Sequence, residues 1–393
     1  MALRHLAEGP LDLTLIAPEA DFSLRPLTVA YPFSRGHQET LPLAEIMAEQ
    51  GGTFIRDAVA EIDADKQCVV CVSGARIPYD ELVLVPGARA VEPFASGLTF
   101  GLTADPAALN GLLADLEQGY TKSVAFVVPD GCSWPLPLYE LALMTAEEVW
   151  GMGMDDVDLH LLTPEPEPLA IFGTEASVAL TGLLEDAGIH VRVGVHARVG
   201  RDQVILGPDD RLDVLRTVTL PVLTGPRLAG VPSDAEGFIP VDPYGRVTGL
   251  AHVHAAGDAT DQPIKQGGLA CQQAVVVATD IAAAAGAAVT VEPFTPVLRG
   301  RLLTGRRDRF LVRDVAMRDG KASDKPLWWP PAKVTSRYLA PYLQGKGLVD
   351  PPLHHGAAEP TPPDEGVEVA HSIPCNRHYA GDVLGLDTLG SVR

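Results

Sequence analysis

Positive charge is scarce in this sequence. Against 51 Asp and Glu stand 30 Lys and Arg, a net charge of −21 over 393 residues. Such a surface repels a phosphate backbone, so no nucleic-acid partner is expected. Cysteine is also scarce: five residues, odd in number and scattered, build no disulfide framework and suit a reducing compartment. The longest apolar stretch, 274–288, contains Asp280 and falls short of the roughly 18 uninterrupted apolar residues of a membrane-crossing helix. Residues 1–9 carry Arg4, His5 and Glu8 without an apolar core, so no secretory leader is read and the cytoplasm is the expected location. There is no G-x-x-x-x-G-K phosphate loop, no H-E-x-x-H helix and no Ser-His-Asp signature. His252 and His254 share a strand face, but no acidic or thiol ligand set is read beside them, and no metal is expected.

What the sequence does have is length for two or three domains of roughly 150 residues. Its hydrophobic content of 46% can fill their cores, and 38 Gly with 34 Pro punctuate many short elements. Residues 2–8 read as the last turns of a helix stopped at Gly9-Pro10, Leu11–Ile16 as a buried strand and Leu41–Gln50 as a short helix. Thr53–Ile62, Gln67–Ser73 and Glu81–Val85 read as strands. A second unit repeats the alternation: strands at Ser123–Val128, Val157–Leu162 and His190–Val195, helices at Leu138–Trp150 and Thr174–Ala187. The chain then returns through a strand at Val253–Ala256 and a helix from Gln266 to Ala285. This order predicts an α/β fold with parallel, doubly wound sheets. From Thr295 to Gly347 there are 12 Lys and Arg against 4 Asp and Glu, a basic module with Trp328-Trp329 and a helix expected over Lys333–Gln344. The proline-rich tail at 350–393 reads as loosely ordered.

Three segments carry chemistry. Ala255-Ala256-Gly257-Asp258 follows a strand and precedes a long helix, where open α/β sheets bind ligands; a plain tight turn is the alternative. Tyr79–Ala88 is a strand running into the Pro86-Gly87 turn, and Pro263-Ile264-Lys265-Gln266-Gly267 opens the helix. Together these segments resemble the flavoproteins with two dinucleotide-binding domains, in their sulfide:quinone reductase and type II NADH dehydrogenase branch. The resemblance covers most of residues 1–347. Tyr79–Ala88 matches the family's Y-D-x-L-V-x-A-x-G-A strand with Pro86 where Thr is usual, and Ala255–Asp258 matches its A-x-G-D turn. Ile16, Phe22 and Pro26 keep the spacing seen after the second strand of sulfide:quinone reductases.

The resemblance implies two Rossmann-like dinucleotide-binding domains. An FAD domain is expected at 1–105 and 236–290, an NAD(P)-binding-like domain at 106–235 and a carboxyl-terminal module at 291–349. The cofactor implied is FAD, held by Glu19 at the ribose and by Pro86, Gly87, Gly257, Asp258, Lys265 and Gln266. The helix after Gln266 should aim its amino terminus at the flavin pyrimidine edge, with Lys265 adding to the field. The family's opening strand and G-x-G-x-x-G turn are absent from this sequence. Because that strand is central in the fold, the gene product is expected to start roughly 20–25 residues before Met1, and the chain as given to bind FAD weakly.

The second domain departs from the family pattern too. Its turn reads Pro129-Asp130-Gly131-Cys132-Ser133-Trp134-Pro135, short of the glycines and backbone donors a pyrophosphate needs, so NAD(P) binding is not expected. Sulfide:quinone reductases carry a redox cysteine in this loop, which makes Cys132 the candidate catalytic thiol, its thiolate favoured by a helix amino terminus; an inert loop cysteine is the alternative. Cys68 and Cys71 lie on one strand, roughly 10 Å apart and facing opposite ways, and are no redox pair. Cys271 reads as packing. The expected activity is two-electron transfer from a small-molecule donor through flavin to a second acceptor, such as quinone. Aromatic and basic residues of 295–347 suit either a peripheral membrane contact or packing against the acidic remainder of the chain. A sulfide:quinone reductase using Cys132, or a non-catalytic scaffold that has lost its flavin site, are the other readings.

Overall fold

In the computed structural model, which describes residues 1–348 and 368–369 apart from 8, 10, 36–39, 103–106 and 315–318, parallel strands and helices alternate along the chain. Helix α1 (Ala2–Leu6) ends where Ala7 turns extended. Strand β1 (Thr14–Ala17) follows, then α2 (Leu43–Glu49) and β2 (Thr53–Arg56), which lies parallel to β1 from Thr14↔Thr53 to Ala17↔Arg56. β1 starts later than the apolar run and is only half-buried; among the described residues its ladder partner is β2 alone. The long strand read over 53–62 breaks at Asp57, whose carboxylate accepts the Ala58 N–H at 2.8 Å. The chain then turns into an antiparallel meander of β3 (Val59–Asp63), β4 (Cys68–Cys71) and β5 (Arg76–Pro78), and β6 (Leu82–Leu84) leads back.

The second unit contains β7 (Leu98–Thr99), α3 (Ala107–Glu117), β8 (Ser123–Val127), α4 (Leu136–Gly151), β9 (Asp158–Leu162), α5 (Thr174–Asp186), β10 (Ile189–Arg192) and β11 (Arg216–Thr219). Five of its strands form one parallel sheet, in the order β7-β11-β8-β9-β10. β8 reads as a continuous apolar run because it is buried on both faces and flanked by strands on both sides. α4 begins two residues earlier than expected: Pro135 caps it and Pro137 sits in the first turn, where a missing N–H breaks no helical hydrogen bond. It is buried nearly all round, as its lack of a polar face requires.

The chain returns to the first unit in β12 (Val253–Ala255), parallel to β6 with Ala255 opposite Leu84, and α6 (Gly267–Ala284) follows. α6 is long and apolar enough to cross a bilayer, yet its apolar residues are packed inside the protein, Val277 and Ile281 against Leu3 of α1. One core lies between β3, β4, β6 and β12. A larger one joins α3, α4, β8 and α5 to a 3-10 segment, Arg25–Phe33, and to the carboxyl-terminal strands.

Those strands form a meander, β13 (Val297–Leu302), β14 (Arg309–Asp314) and β15 (Lys321–Ser323). The helix read over Lys333–Gln344 is confined to α7 (Leu339–Gly345), because Lys333 is drawn into the interior to meet Glu140. The aromatic residues of this module make contacts within the protein, as one of the two readings had it. Trp328 is fully buried and donates its indole N–H to Ala332 O at 3.0 Å. Tyr338 stacks on His5, and Tyr342 donates to Glu49 Oε2 at 2.7 Å. Most of the tail at 350–393, with His354, His355 and Cys375, lies outside the described residues; Glu368–Val369 pairs parallel with Trp328–Trp329.

Candidate active site

Parallel strands bring their carboxyl ends to one side, and the expected cofactor residues fall in the turns beyond those ends. Glu19, past β1, is exposed. Pro86-Gly87 follows β6, with Gly87 at φ +72° and nothing within 4 Å of where its Cβ would stand. Gly257 follows β12 at φ +75°; its N–H donates to Gln273 Oε1 at 2.6 Å, and a Cβ there would meet Ala270 at 3.3 Å. Only glycine takes that conformation without strain. Beside it, burial pushes the Asp258 carboxyl up while the Lys265 ammonium pulls it partly back.

Lys265 is itself buried. It donates to Thr260 O, stands 3.7 Å from the Phe238 ring centroid, and burial lowers it to about 8 against the pull of Asp258, Asp261 and Asp234. Gln266 caps α6: its Oε1 accepts the Leu269 N–H at 2.8 Å while its Nε2 donates to Arg299 O at 3.1 Å. One amide therefore closes the helix end and ties it to β13.

A cavity of about 290 Å³ opens at this helix end. It brings together Cys132, Asp258, Lys265 and Gln266; Glu19, Pro86, Gly87 and Gly257 lie outside its wall. The wall also holds Phe100, Trp134, Arg299, Arg301 and Lys333. Behind Lys333 lies Glu140 of α4, fully buried. Lys333 Nζ donates to both Glu140 oxygens at 2.5 Å, and the Leu303 N–H donates to Oε1 at 2.9 Å. Burial raises Glu140 to about 7 despite Lys333, with Asp308 adding a little. Sequence reading passed over this pair, although an acid in the middle of the apolar run Leu136–Ala146 was a signal for one half of it. Lys333 carried none.

Cys132 corrects an expectation. It lines the cavity, but burial pushes its thiol up to about 12 and the nearby Glu165 carboxylate acts the same way. A helix terminus, worth about 0.3–1 kcal/mol, is too weak to offset that desolvation. No other described cysteine lines the cavity.

The amino end of α4 both lines the cavity, through Trp134, Leu136 and Pro137, and packs against other protein groups. The Trp134 and Phe172 rings meet edge to face at 5.7 Å, and a Cβ on Gly300 of β13 would lie 2.8 Å from both Leu136 Cδ1 and Phe172 Cζ. Just beyond β9, where a dinucleotide fold offers an acid to ribose, Glu165 turns inward instead. It accepts from Tyr139 OH at 2.7 Å and Thr163 Oγ1 at 3.0 Å, and burial raises its carboxyl.

His252 and His254 do have acids beside them, contrary to the sequence reading. His252 Nδ1 lies 2.8 Å from Glu81 Oε1 and His254 Nε2 lies 3.0 Å from Asp280 Oδ2. The acids come from β6's flank and from α6, far apart in sequence. Arg246 holds both Asp280 oxygens, at 2.8 and 2.5 Å, so the cluster is an ion network.

Comparison with solved structures decides the architecture. The sulfide:quinone oxidoreductase of Aquifex aeolicus superposes with a TM-score of 0.69 at 22% identity, over 80% of this chain and 81% of that one. This is the fold of the flavoproteins with two dinucleotide-binding domains. A ferredoxin reductase of Rhodopseudomonas palustris shares the flavoprotein fold at a TM-score of 0.58 and 20% identity, over 82% and 86% of the two chains. By sequence, an NADH dehydrogenase-like protein of Mycobacterium tuberculosis is 30% identical over 239 residues, 56% of this chain and 58% of its own. The sulfide-quinone reductase of Aquifex aeolicus is 30% identical over 191 residues, 47% and 44%. The chain thus spans about three fifths or less of the length of the curated relatives it matches. No family model matches it.

Proposed function

We propose that the chain is an FAD-dependent oxidoreductase that takes two electrons from a small-molecule donor other than NADH or NADPH and passes them to a second acceptor, a quinone. The observation that carries this is the placing of Asp258, Lys265 and Gln266, just beyond the end of the parallel pair β6 and β12, on the wall of the cavity at the amino end of α6. The residues fit FAD. Gly87 leaves backbone open to close approach, Glu19 and Asp258 offer acceptors to hydroxyl groups, and α6 presents N–H groups. The G-x-G-x-x-G turn for its pyrophosphate is not in this sequence. FAD, when bound, supplies the two-electron chemistry; residues 1–105 and 236–290 would hold it, and 106–235 and 291–349 would enclose the acceptor.

The names of the relatives support electron transfer with quinone as acceptor, and the lack of a glycine-rich turn at 129–135 argues against a nicotinamide donor. Peripheral attachment to the inner face of the membrane would use Arg306 and Arg307 with Trp150, all well exposed, Arg306 lying 4.6 Å from the Trp150 ring centroid. Release of the cofactor by acid and its chromatographic identification tests the reading. A purified protein that neither carries nor takes up FAD would sink it and leave the non-catalytic scaffold. Sulfide oxidation through Cys132 is disfavoured by its raised thiol; loss of sulfide-dependent quinone reduction in Cys132→Ser would restore it.

A further inference from the structure

Lysine and arginine are few in this chain, yet five of its 30 line the cavity at the amino end of α6: Arg25, Lys265, Arg299, Arg301 and Lys333. A single acid, Asp258, stands in the same wall. Three of these cations have a carboxylate to answer them. Lys333 is held by Glu140, Arg301 Nε donates to Asp308 Oδ2 at 2.7 Å, and Lys265 feels Asp258. Arg25 differs. Among the described residues no carboxylate pairs with it, and it is exposed while lining the cavity, which puts it at the mouth. Its backbone is fixed: Arg25 opens the 3-10 segment that runs to Phe33, and its carbonyl accepts from Thr28 Oγ1 at 2.8 Å. Val29, Ala30 and Phe33 of that segment are buried in the larger core, and Pro26 lies against the start of α6, 4.0 Å from where a Cβ on Gly267 would stand.

In a protein of net charge −21, a cleft lined by cations gathers anions where the rest of the surface repels them. An inorganic anion would use the charge alone. The wall also offers the Phe100 and Trp134 rings with Leu220 and Leu223, against which an apolar body is favourably buried. A guanidinium presents two parallel N–H groups, the pattern that the two oxygens of a carboxylate match.

We propose that the cavity binds an organic carboxylate with an apolar body, and that Arg25 holds the carboxylate at the mouth. The apolar body lies against Phe100, Trp134 and the two leucines, and the remaining cations of the wall add a favourable field without needing to touch the anion. The inference rests on the flavin reading only for the use of this ligand, as the donor which that reading leaves unnamed; its binding requires no electron transfer.

The test is calorimetric titration of the FAD-loaded full chain with benzoate and with 2-naphthoate, each beside its neutral amide. The acid is expected to bind about tenfold more tightly than the amide, or better, and the ratio to shrink between about 20 and 200 mM salt as screening grows. In Arg25→Gln, a change at an exposed position that leaves the core intact, the preference for the acid should vanish. Arg25→Lys, which keeps the charge and loses the fork, should retain part of it, and Arg76→Gln, outside the cavity wall, should retain all of it. Equal affinity for acid and amide, binding of neither, or a preference that survives Arg25→Gln would overturn the proposal. A chain that takes up no FAD yet prefers the acid through Arg25 would sink the flavin reading and leave this one standing.

Discussion

Cys132 and Glu140 show how burial decides the chemistry of a single residue. Each stands at or near the amino end of α4, yet desolvation raises both, the thiol to about 12 and the carboxyl to about 7. In the folded protein Cys132 should therefore react with iodoacetamide at pH 7.5 far more slowly than a free thiol, whose pKa is about 8.5; complete labelling within minutes, followed by mass spectrometry, would contradict the geometry. Glu140 makes a prediction about pH and stability. An unfolded glutamate titrates near 4.3, so the folded protein binds an extra proton between there and about 7. The stability this contributes is present below the lower value and is lost as pH rises through the upper one. Between pH 5 and 8 the melting temperature of the unaltered protein should fall more steeply than that of Glu140→Gln; parallel curves in calorimetry would refute the shift. The positions of Glu19, Gly87, Gly257 and Asp258 beyond strand ends were legible in the sequence, since turn residues after apolar runs mark them locally. The partnership of Glu140 with Lys333 was not, because 193 residues separate them.

At the level of elements, β13 and α6 meet at the cavity and set its shape. Gly300 lets β13 approach α4, and Gly300→Ala should cost about 1–3 kcal/mol by overpacking against Leu136 and Phe172, read as a lowered urea midpoint. A change within error would mean that the contact yields. Lys265, at the start of α6, holds its charge at pH 7 and loses it near pH 8. In FAD-loaded protein Lys265→Glu should lower the flavin potential at pH 7, by roughly 20 mV for each kcal/mol of lost interaction in a two-electron couple. Spectroelectrochemistry showing no shift would remove Lys265 from the flavin's field. Strands and helices of the second unit follow the apolar periodicity closely, while the helix read over Lys333–Gln344 does not. There a tertiary ion pair overrides local propensity.

Across the whole molecule, the carboxyl-terminal module contacts both dinucleotide-binding units. Asp319 accepts the Glu175 N–H of α5 at 3.2 Å, Arg35 donates to Gly305 O at 2.5 Å, and Lys346 reaches Glu49. The turn at 129–135 lacks the glycines and backbone donors a second dinucleotide needs, so in FAD-loaded protein micromolar NADH should leave the flavin oxidised in stopped-flow absorbance; rapid bleaching would reverse that. Protection should also be uneven. Hydrogen exchange should be slowest in β8, flanked by ladders on both sides, and much faster in β1, whose described ladder lies on one side only.

By itself the sequence determined the alternation of strands and helices, the α/β class and the flavoprotein likeness, because apolar period, glycine turns and strand-end motifs are local properties of the chain. The tertiary structure alone decided which groups share the cavity, that Cys132 is neutral, that Trp328 is core and that a buried carboxyl stands behind Lys333. Desolvation and ion pairing depend on what surrounds a group in space, and residues hundreds of positions apart supply those surroundings.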